Sequence, residues 1–123
     1  MDSLNQKKAI MIIGPILSGK GTQANLLSQK FGFFHFMTSK IGQEYIKEHG
    51  DDEETLKQTE RYKSGALWEP SWTLKMIKEK TKEFFETYSG IIYDGSPRTL
   101  YEAEMFYPFL SELIDKENIK IIE

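Results

Sequence analysis

One stretch near the start of the chain limits the fold more than any other. Residues 9–13 (Ala-Ile-Met-Ile-Ile) contain no polar side chain and predict a strand buried on both faces, as in a parallel sheet. A glycine-containing loop runs from Gly14 to Thr22 and leads into a predicted helix over residues 20–30. Backbone N–H groups of the loop, the positive end of the helix dipole and the ammonium group of Lys20 all favour an anion at one place. The stretch therefore predicts a phosphate-binding corner between a first strand and a first helix.

Length and composition bound the rest of the chain. With 123 residues it is expected to form one domain, or one domain with a small insertion, and 39 % apolar residues predict a globular core. No apolar run approaches the roughly 20 residues of a membrane span, and no signal-peptide core precedes the first strand. The chain has no cysteine, so we expect no thiolate metal site. Together these observations predict a cytoplasmic protein without a membrane partner. The net charge of −3 argues against nucleic acid as a partner.

A second informative stretch covers residues 91–99. Ile-Ile-Tyr predicts a strand that ends in Asp94, followed by Gly-Ser-Pro-Arg-Thr and a new helix. A carboxylate at the carboxyl end of a central parallel strand faces the ligand crevice of an open α/β sheet. Such a carboxylate can hold a hydrated Mg²⁺ ion that bridges phosphate groups, so Asp94 is the predicted metal residue.

The remaining elements follow from apolar spacing and from turn residues. They are a second strand over residues 33–36, a helix over about residues 40–48, a helix that ends near residue 63, a helix between Ser71 and Gly90, a helix after Thr99, and a fourth strand over residues 119–122. We expect Ser71 to be the N-cap of its helix and Phe31 to belong to the buried face of the first helix. His35, in the second strand, is expected to be a packed or hydrogen-bonded residue.

The two informative stretches together resemble one enzyme family. The spacing Gly-x4-Gly-Lys-Gly-Thr, with Pro15 and a following Gln-Ala, and the segment Asp-Gly-Ser-Pro-Arg-Thr are similar to those of adenylate kinases and related nucleoside monophosphate kinases. The resemblance extends from the phosphate loop to the fourth strand. It implies a three-layer α/β fold of the P-loop NTPase type, with a parallel sheet of order 2-3-1-4 that lacks the fifth strand. It also implies a core domain of residues 1–37 and 73–123, and a small helical subdomain of residues 38–72 that binds the nucleoside monophosphate.

The resemblance also implies a reaction and a set of site residues. The reaction is transfer of the γ-phosphoryl group from ATP to a nucleoside monophosphate, with Mg²⁺ as the cofactor. Lys20 and Arg98 would be catalytic, and Asp94 would hold Mg²⁺ through water with help from Thr22. The phosphates of ATP would be bound by Gly14, Ser18, Gly19, Lys20, Gly21 and Thr22. The acceptor nucleotide would be bound by Thr38, Gln43, Leu67, Trp68, Gly95, Arg98 and Glu102.

Several residues depart from the family's pattern. Leu17 stands where the family usually has glycine, and Gln43 stands where an arginine grips the acceptor phosphate. A neutral amide cannot replace a bidentate guanidinium group on phosphate. Arg61 and Arg98 are the two arginines of the chain, whereas the family's lid brings several to the transferring group. We therefore expect a truncated kinase without the lid and, as the alternative, a catalytically weak or inactive nucleotide-binding module. An uncovered last strand also predicts self-association through the C-terminal strand.

Four of the implied acceptor residues keep an alternative. Arg98 binds the acceptor phosphate or forms a surface ion pair. Thr38 binds the acceptor or serves as a plain helix N-cap. Trp68 stacks on the acceptor base or fills the core. Glu102 stands in capping-box spacing from Thr99 and is either a structural cap or an altered base reader. An ionised carboxylate accepts hydrogen bonds but donates none, so it suits guanine better than the N1 atom of adenine. The expected acceptor is AMP, as the resemblance implies, or GMP, as the carboxylate favours. The resemblance further implies a cis peptide bond before Pro97.

Overall fold

A computed structural model describes residues 6–13, 20–97 and 100–122, with the backbone alone for residues 20 and 21. Within these residues the elements follow the order βαβαααβαβ. The strands are β1 (Lys8–Ile12), β2 (Phe34–Met37), β3 (Gly90–Asp94) and β4 (Ile119–Ile122). The helices are α1 (Lys20–Phe31), α2 (Thr38–Glu48), α3 (Glu53–Lys63), α4 (Pro70–Phe85) and α5 (Leu100–Leu113), and a short 3-10 helix (Lys116–Asn118) precedes β4.

The four strands form one parallel sheet with the order β2-β3-β1-β4. Met11 of β1 pairs with Tyr93 of β3, and Met37 of β2 pairs with Asp94. The predicted α/β fold and strand order are confirmed. Because all strands run the same way, the carboxyl ends of β1, β2 and β3 lie side by side at one edge of the sheet.

One face of the sheet holds most of the hydrophobic core, and we call it the packed face. Its fully buried strand residues are Ala9, Met11, Phe36, Ile91 and Tyr93. Helices α2, α4 and α5 supply the side chains that cover them, among them Ile77, Phe85 and Phe106. The ring of Phe106 meets the ring of Tyr93 edge-on, with 5.3 Å between the centroids. Such edge-to-face contacts add to the energy of apolar burial.

We call the opposite side of the sheet the α1 face. Side chains alternate along a strand, so this face carries Ile10, Ile12, His35, Ile92 and Asp94. Its buried cluster consists of Ile12, Ile92 and Ala24 of α1, with Leu27 and Phe33 partly buried against it. Helix α1 packs on β3 and β2. The α1 face therefore combines a small apolar cluster with the ionisable side chains of His35 and Asp94.

Two local predictions are wrong. Helix α4 begins at Pro70 with Glu69 as its N-cap, so Ser71 is not the cap. Proline suits the first helical position, because its φ is already helical and its missing N–H would be unpaired there. Phe31 is 50 % exposed instead of buried, and its ring stacks on Phe33 with 5.4 Å between the centroids. Phe31 is the last residue of α1, where the helix leaves the sheet.

Polar side chains join α2 to α4. The hydroxyl of Tyr45 donates to Glu79 over 2.7 Å, and burial together with this bond raises the pKa of Tyr45. The ammonium group of Lys80 donates to Glu48 over 3.0 Å and to Glu83 over 3.2 Å. Burial alone would lower the pKa of Lys80, but its two carboxylate partners raise it overall. These links tie part of the predicted helical subdomain to the long helix beside the sheet.

Helix α4 crosses residue 72, where the boundary between core and helical subdomain is predicted. The division of the chain into these two domains stays a prediction.

Within the described part of the chain, no helix combines the length and apolarity that a bilayer crossing requires.

Candidate functional site

The carboxyl ends of β1, β2 and β3 form the candidate site. Asp94 ends β3 and pairs with Met37, the last residue of β2. On its other side β3 pairs with β1, which ends at Ile12, just before residues 14–19 of the predicted phosphate loop. The predicted metal carboxylate therefore lies between the end of β2 and the strand that leads into the loop. This is the position at which open α/β sheets bind ligands.

The carboxylate of Asp94 has a partner on the neighbouring strand. Nε2 of His35 lies 2.9 Å from Oδ2 of Asp94, and the two side chains are 18 % and 15 % exposed. The prediction that His35 is hydrogen-bonded is confirmed, whereas its partner was not foreseen. The two residues are 59 positions apart, and only the register of β2 against β3 brings them together. No local sequence pattern predicts such a pair.

Thr38 and Gly95 meet directly after these strands. Thr38 is buried, and its hydroxyl lies at the limit of hydrogen bonding, 3.5 Å, from the backbone oxygen of Asp94. The N-cap of α2 is Met37, with no side-chain bond, so the alternative that Thr38 caps this helix is wrong. Gly95 has a φ of +107°, and a Cβ there would stand 3.4 Å from the side chain of Thr38. Both the backbone conformation and the close approach of Thr38 favour glycine at this turn. The peptide bond before Pro97 is cis, as predicted.

The predicted acceptor residues Gln43 and Trp68 lie together in the helical segment. The side-chain amide of Gln43 donates to the hydroxyl of Tyr62 over 3.2 Å and so links α2 to α3. The ring of Trp68 stacks on Tyr62 and meets Trp72 edge-on, each at 5.3 Å between centroids. It also covers Gly42 so closely that a Cβ there would collide with it. Trp68 thus packs against the core of this segment, and its stacking on a base stays a prediction.

Three further predicted residues lie on the surface. Leu67 is 68 % exposed, and its carbonyl oxygen accepts a hydrogen bond from Nε of Arg61 over 3.0 Å. Thr22 and Glu102 are exposed in the first turns of α1 and α5. Their assigned roles stay predictions.

Other predicted residues lie outside the part of the chain whose side chains are described. They are Gly14, Ser18, Gly19, Lys20, Gly21 and Arg98, together with Leu17 and Thr99. Their roles in phosphate binding, catalysis and capping stay predictions as well.

The metal-binding chemistry of the described site is limited to one carboxylate. Among the described residues, no three His, Cys, Asp or Glu side chains are grouped to hold a metal ion. Mg²⁺ commonly keeps several waters and binds through one or two carboxylates and the phosphates of a substrate. His35 engages Oδ2 of Asp94, which leaves Oδ1 as the oxygen for a metal-bound water. The residues present therefore fit a hydrated Mg²⁺ ion held jointly with a nucleotide.

The fold and the site at the strand ends are consistent with the protein family that the sequence matches. The family model described as AAA domain matches residues 13–122, from the end of β1 to the end of β4. The chain belongs to this family.

Within that family the chain is adenylate kinase-like. It is 32 % identical over 111 residues to the adenylate kinase of Methanothrix thermoacetophila, covering 89 % of this chain and 50 % of the relative. It is 33 % identical over 119 residues to that of Elusimicrobium minutum, covering 93 % of this chain and 53 % of the relative. It is 36 % identical over 110 residues to that of Clostridium botulinum, covering 88 % of this chain and 48 % of the relative. The chain spans about half the length of these curated relatives.

Proposed function

We propose that the chain acts in an ATP-dependent nucleoside monophosphate kinase, which converts ATP and a nucleoside monophosphate into ADP and a nucleoside diphosphate. The observation that carries the proposal is the place of Asp94, beside the strand that leads into residues 14–22. A carboxylate next to a phosphate loop is the arrangement that phosphoryl transfer from ATP requires. The relatives are named adenylate kinases, which supports the same reaction. AMP and GMP are the acceptors we propose.

In this proposal the chain works by positioning and charge stabilisation. Backbone N–H groups of residues 14–21 and the side chains of Ser18 and Thr22 bind the phosphates of ATP, and Lys20 neutralises charge that moves toward the leaving ADP. Bound Mg²⁺, held through water by Asp94 with help from Thr22, would supply further neutralisation of phosphate charge.

On the acceptor side, Arg98 holds the phosphate of the nucleoside monophosphate, and Thr38 and Gly95 contact the same nucleotide. An oxygen of that phosphate attacks the γ-phosphorus of ATP while the bond from that phosphorus to the ADP oxygen breaks. No covalent enzyme intermediate is involved. Gln43, Leu67, Trp68 and Glu102 complete the proposed acceptor site.

A coupled assay that follows ADP formation tests the reaction, with AMP, GMP, CMP and UMP as separate acceptors. We expect turnover with AMP or GMP. The Lys20→Ala variant should bind ATP at least about tenfold more weakly, because a hydrogen bond to a charged group contributes about 1.5–3 kcal/mol. Lys8→Ala is the control, because Lys8 is the first residue of β1, at the end of that strand away from the predicted phosphate loop. Equal ATP affinity of Lys20→Ala and the parent would refute the phosphate-loop assignment and the kinase proposal with it.

A second candidate function is nucleotide binding without turnover, as the position of Gln43 suggests. This residue offers a neutral amide already bonded to Tyr62, where the resembled family has an arginine for the acceptor phosphate. On this reading, calorimetry detects ATP binding while none of the four acceptors is phosphorylated. Turnover that appears in the Gln43→Arg variant would locate the deficiency at this position.

Two predictions about assembly and location accompany the proposal. Among the described strands, β4 lies at one edge of the sheet, and Ile122 at its end is 39 % exposed. We propose that this edge mediates self-association, which sedimentation of the parent and an Ile122→Lys variant would test. A cytoplasmic location stays a prediction.

A further inference from the structure

Two hydrogen bonds constrain Asp94 from the side of β2, and they act on different parts of the residue. The hydroxyl of Thr38 reaches the backbone oxygen of Asp94, and Nε2 of His35 reaches Oδ2 of its carboxylate. Among the described residues, His35 is the partner of the carboxylate itself. The first contact concerns the end of the strand, whereas the second sets the orientation of the two carboxylate oxygens.

The orientation matters because an aspartate side chain is otherwise poorly restricted about its last torsion angle. An ionised carboxylate accepts hydrogen bonds through both oxygens, and a histidine with its proton on Nε2 donates to one of them. With Oδ2 engaged by His35, rotation of the carboxylate would break a bond between two mostly buried groups. Oδ1 thereby becomes the oxygen available to a ligand at the strand ends.

We propose that His35 is a positioning residue for Asp94: it orients the carboxylate so that one defined oxygen holds the hydrated cation of the nucleotide complex. Hydrogen bonds from neighbouring side chains to a ligating carboxylate commonly serve this purpose, and their loss lowers metal affinity about 10–100-fold. His35 itself contacts neither metal nor nucleotide in this role. The inference rests on the proposed function, because it needs a nucleotide-bound cation at Asp94.

Calorimetric titration of ATP, with Mg²⁺ at graded concentrations and with a chelator, tests the role of His35 separately from the proposed function. Four proteins are compared: the parent and the variants His35→Leu, His35→Gln and Asp94→Asn. We expect the ATP affinity of the parent to rise with Mg²⁺. His35→Leu, which has no donor, should need about tenfold more Mg²⁺ for the same gain, as should Asp94→Asn. His35→Gln can place an N–H donor near the position of Nε2 and should stay close to the parent.

The outcomes distinguish the inference from the function on which it rests. A parent that shows no ATP binding refutes the proposed function, and the inference with it. A parent with Mg²⁺-dependent binding that His35→Leu fully retains refutes the role of His35 alone. Equal losses in His35→Gln and His35→Leu also overturn it, since they would show that ring shape matters and not the donor. Thermal melting of each variant verifies folding; if His35→Leu is unfolded, His35→Asn, whose shorter amide cannot reach Asp94, takes its place.

Discussion

The packed face and the α1 face use the same four strands in different ways. On the packed face, strands and helices α2, α4 and α5 form a buried cluster of 17 of the described residues. On the α1 face the corresponding cluster has 3 residues, and the strands also carry His35 and Asp94. Burying one large apolar side chain stabilises a fold by about 1.5–3 kcal/mol. Most of the stability should therefore come from the packed face, while the chemistry of the strand ends lies on the α1 face.

The difference has a physical basis. A charged or polar group deep in a continuous apolar core would lose its hydration and would need complete pairing. On the thinner α1 face, the carboxylate of Asp94 is bonded to His35 among the described residues and retains some exposure. It can therefore remain an acceptor for a ligand at the edge of the sheet.

The largest effect is expected for the core of the packed face. Phe106→Ala removes a ring that is 2 % exposed and packs on Tyr93, so the free energy of unfolding should fall by about 3–5 kcal/mol. Leu27→Ala, a truncation on the α1 face, should lower it by only about 1–2 kcal/mol, since Leu27 is half-buried. Urea unfolding of both variants measures the difference. Equal losses would mean that the two faces contribute alike.

The second-largest loss of stability is expected for a buried hydrogen bond of the packed face. Tyr93 and Thr81 join their hydroxyl groups over 2.8 Å in the fully buried core. Tyr93→Phe leaves the hydroxyl of Thr81 without this partner and should lower the free energy of unfolding by about 1–2 kcal/mol. Thr81→Val and the double variant complete the cycle. We expect the double variant to lose less than the sum of the single losses, and strict additivity would show that the bond contributes nothing.

High pH should weaken the packed face through the same tyrosine. Burial raises the pKa of Tyr93, so the folded protein keeps the proton after the unfolded chain has begun to lose it at about pH 10. The free energy of unfolding therefore falls as the pH rises above that value, by up to about 1.4 kcal/mol per pH unit for each such group.

Urea unfolding between about pH 9 and 11 checks this dependence. The Tyr93→Phe variant should show a shallower decline than the parent. Tyr101→Phe is the control, because Tyr101 is 71 % exposed on α5 and its loss should leave the slope unchanged. Identical slopes for Tyr93→Phe and the parent would contradict the proposed origin of the effect.

The smallest change in stability is expected on the α1 face. Asp94→Asn keeps the shape of the side chain and an oxygen that can accept a hydrogen bond from His35. The free energy of unfolding should change by less than about 1 kcal/mol, as is usual away from core packing. Thermal and urea unfolding measure it. A loss above about 2 kcal/mol would place Asp94 among the residues that hold the fold together, and the contrast between the faces would fail.

Local patterns in the sequence predicted the elements well. The apolar runs before Gly14 and Asp94 are β1 and β3. The predicted start and end of α2 and the predicted end of α3 agree with the structure to within about two residues. The predictions failed for the N-cap residues of α2 and α4. Thr38 and Ser71 have the composition of N-caps, but Met37 and Glu69 hold those positions. Cap identity depends on where the chain leaves the preceding strand or loop, which a residue preference alone does not determine.

The sequence by itself determined the order of the elements and placed a carboxylate at the end of an internal strand. Apolar runs and glycine turns specify these features because each depends on only a few neighbouring residues. Only the tertiary structure decided which side chains meet there. His35 pairs with Asp94, Gln43 with Tyr62, and Trp68 covers Gly42. Each of these contacts joins different elements of the fold, so it depends on strand register and helix packing, which no local pattern encodes.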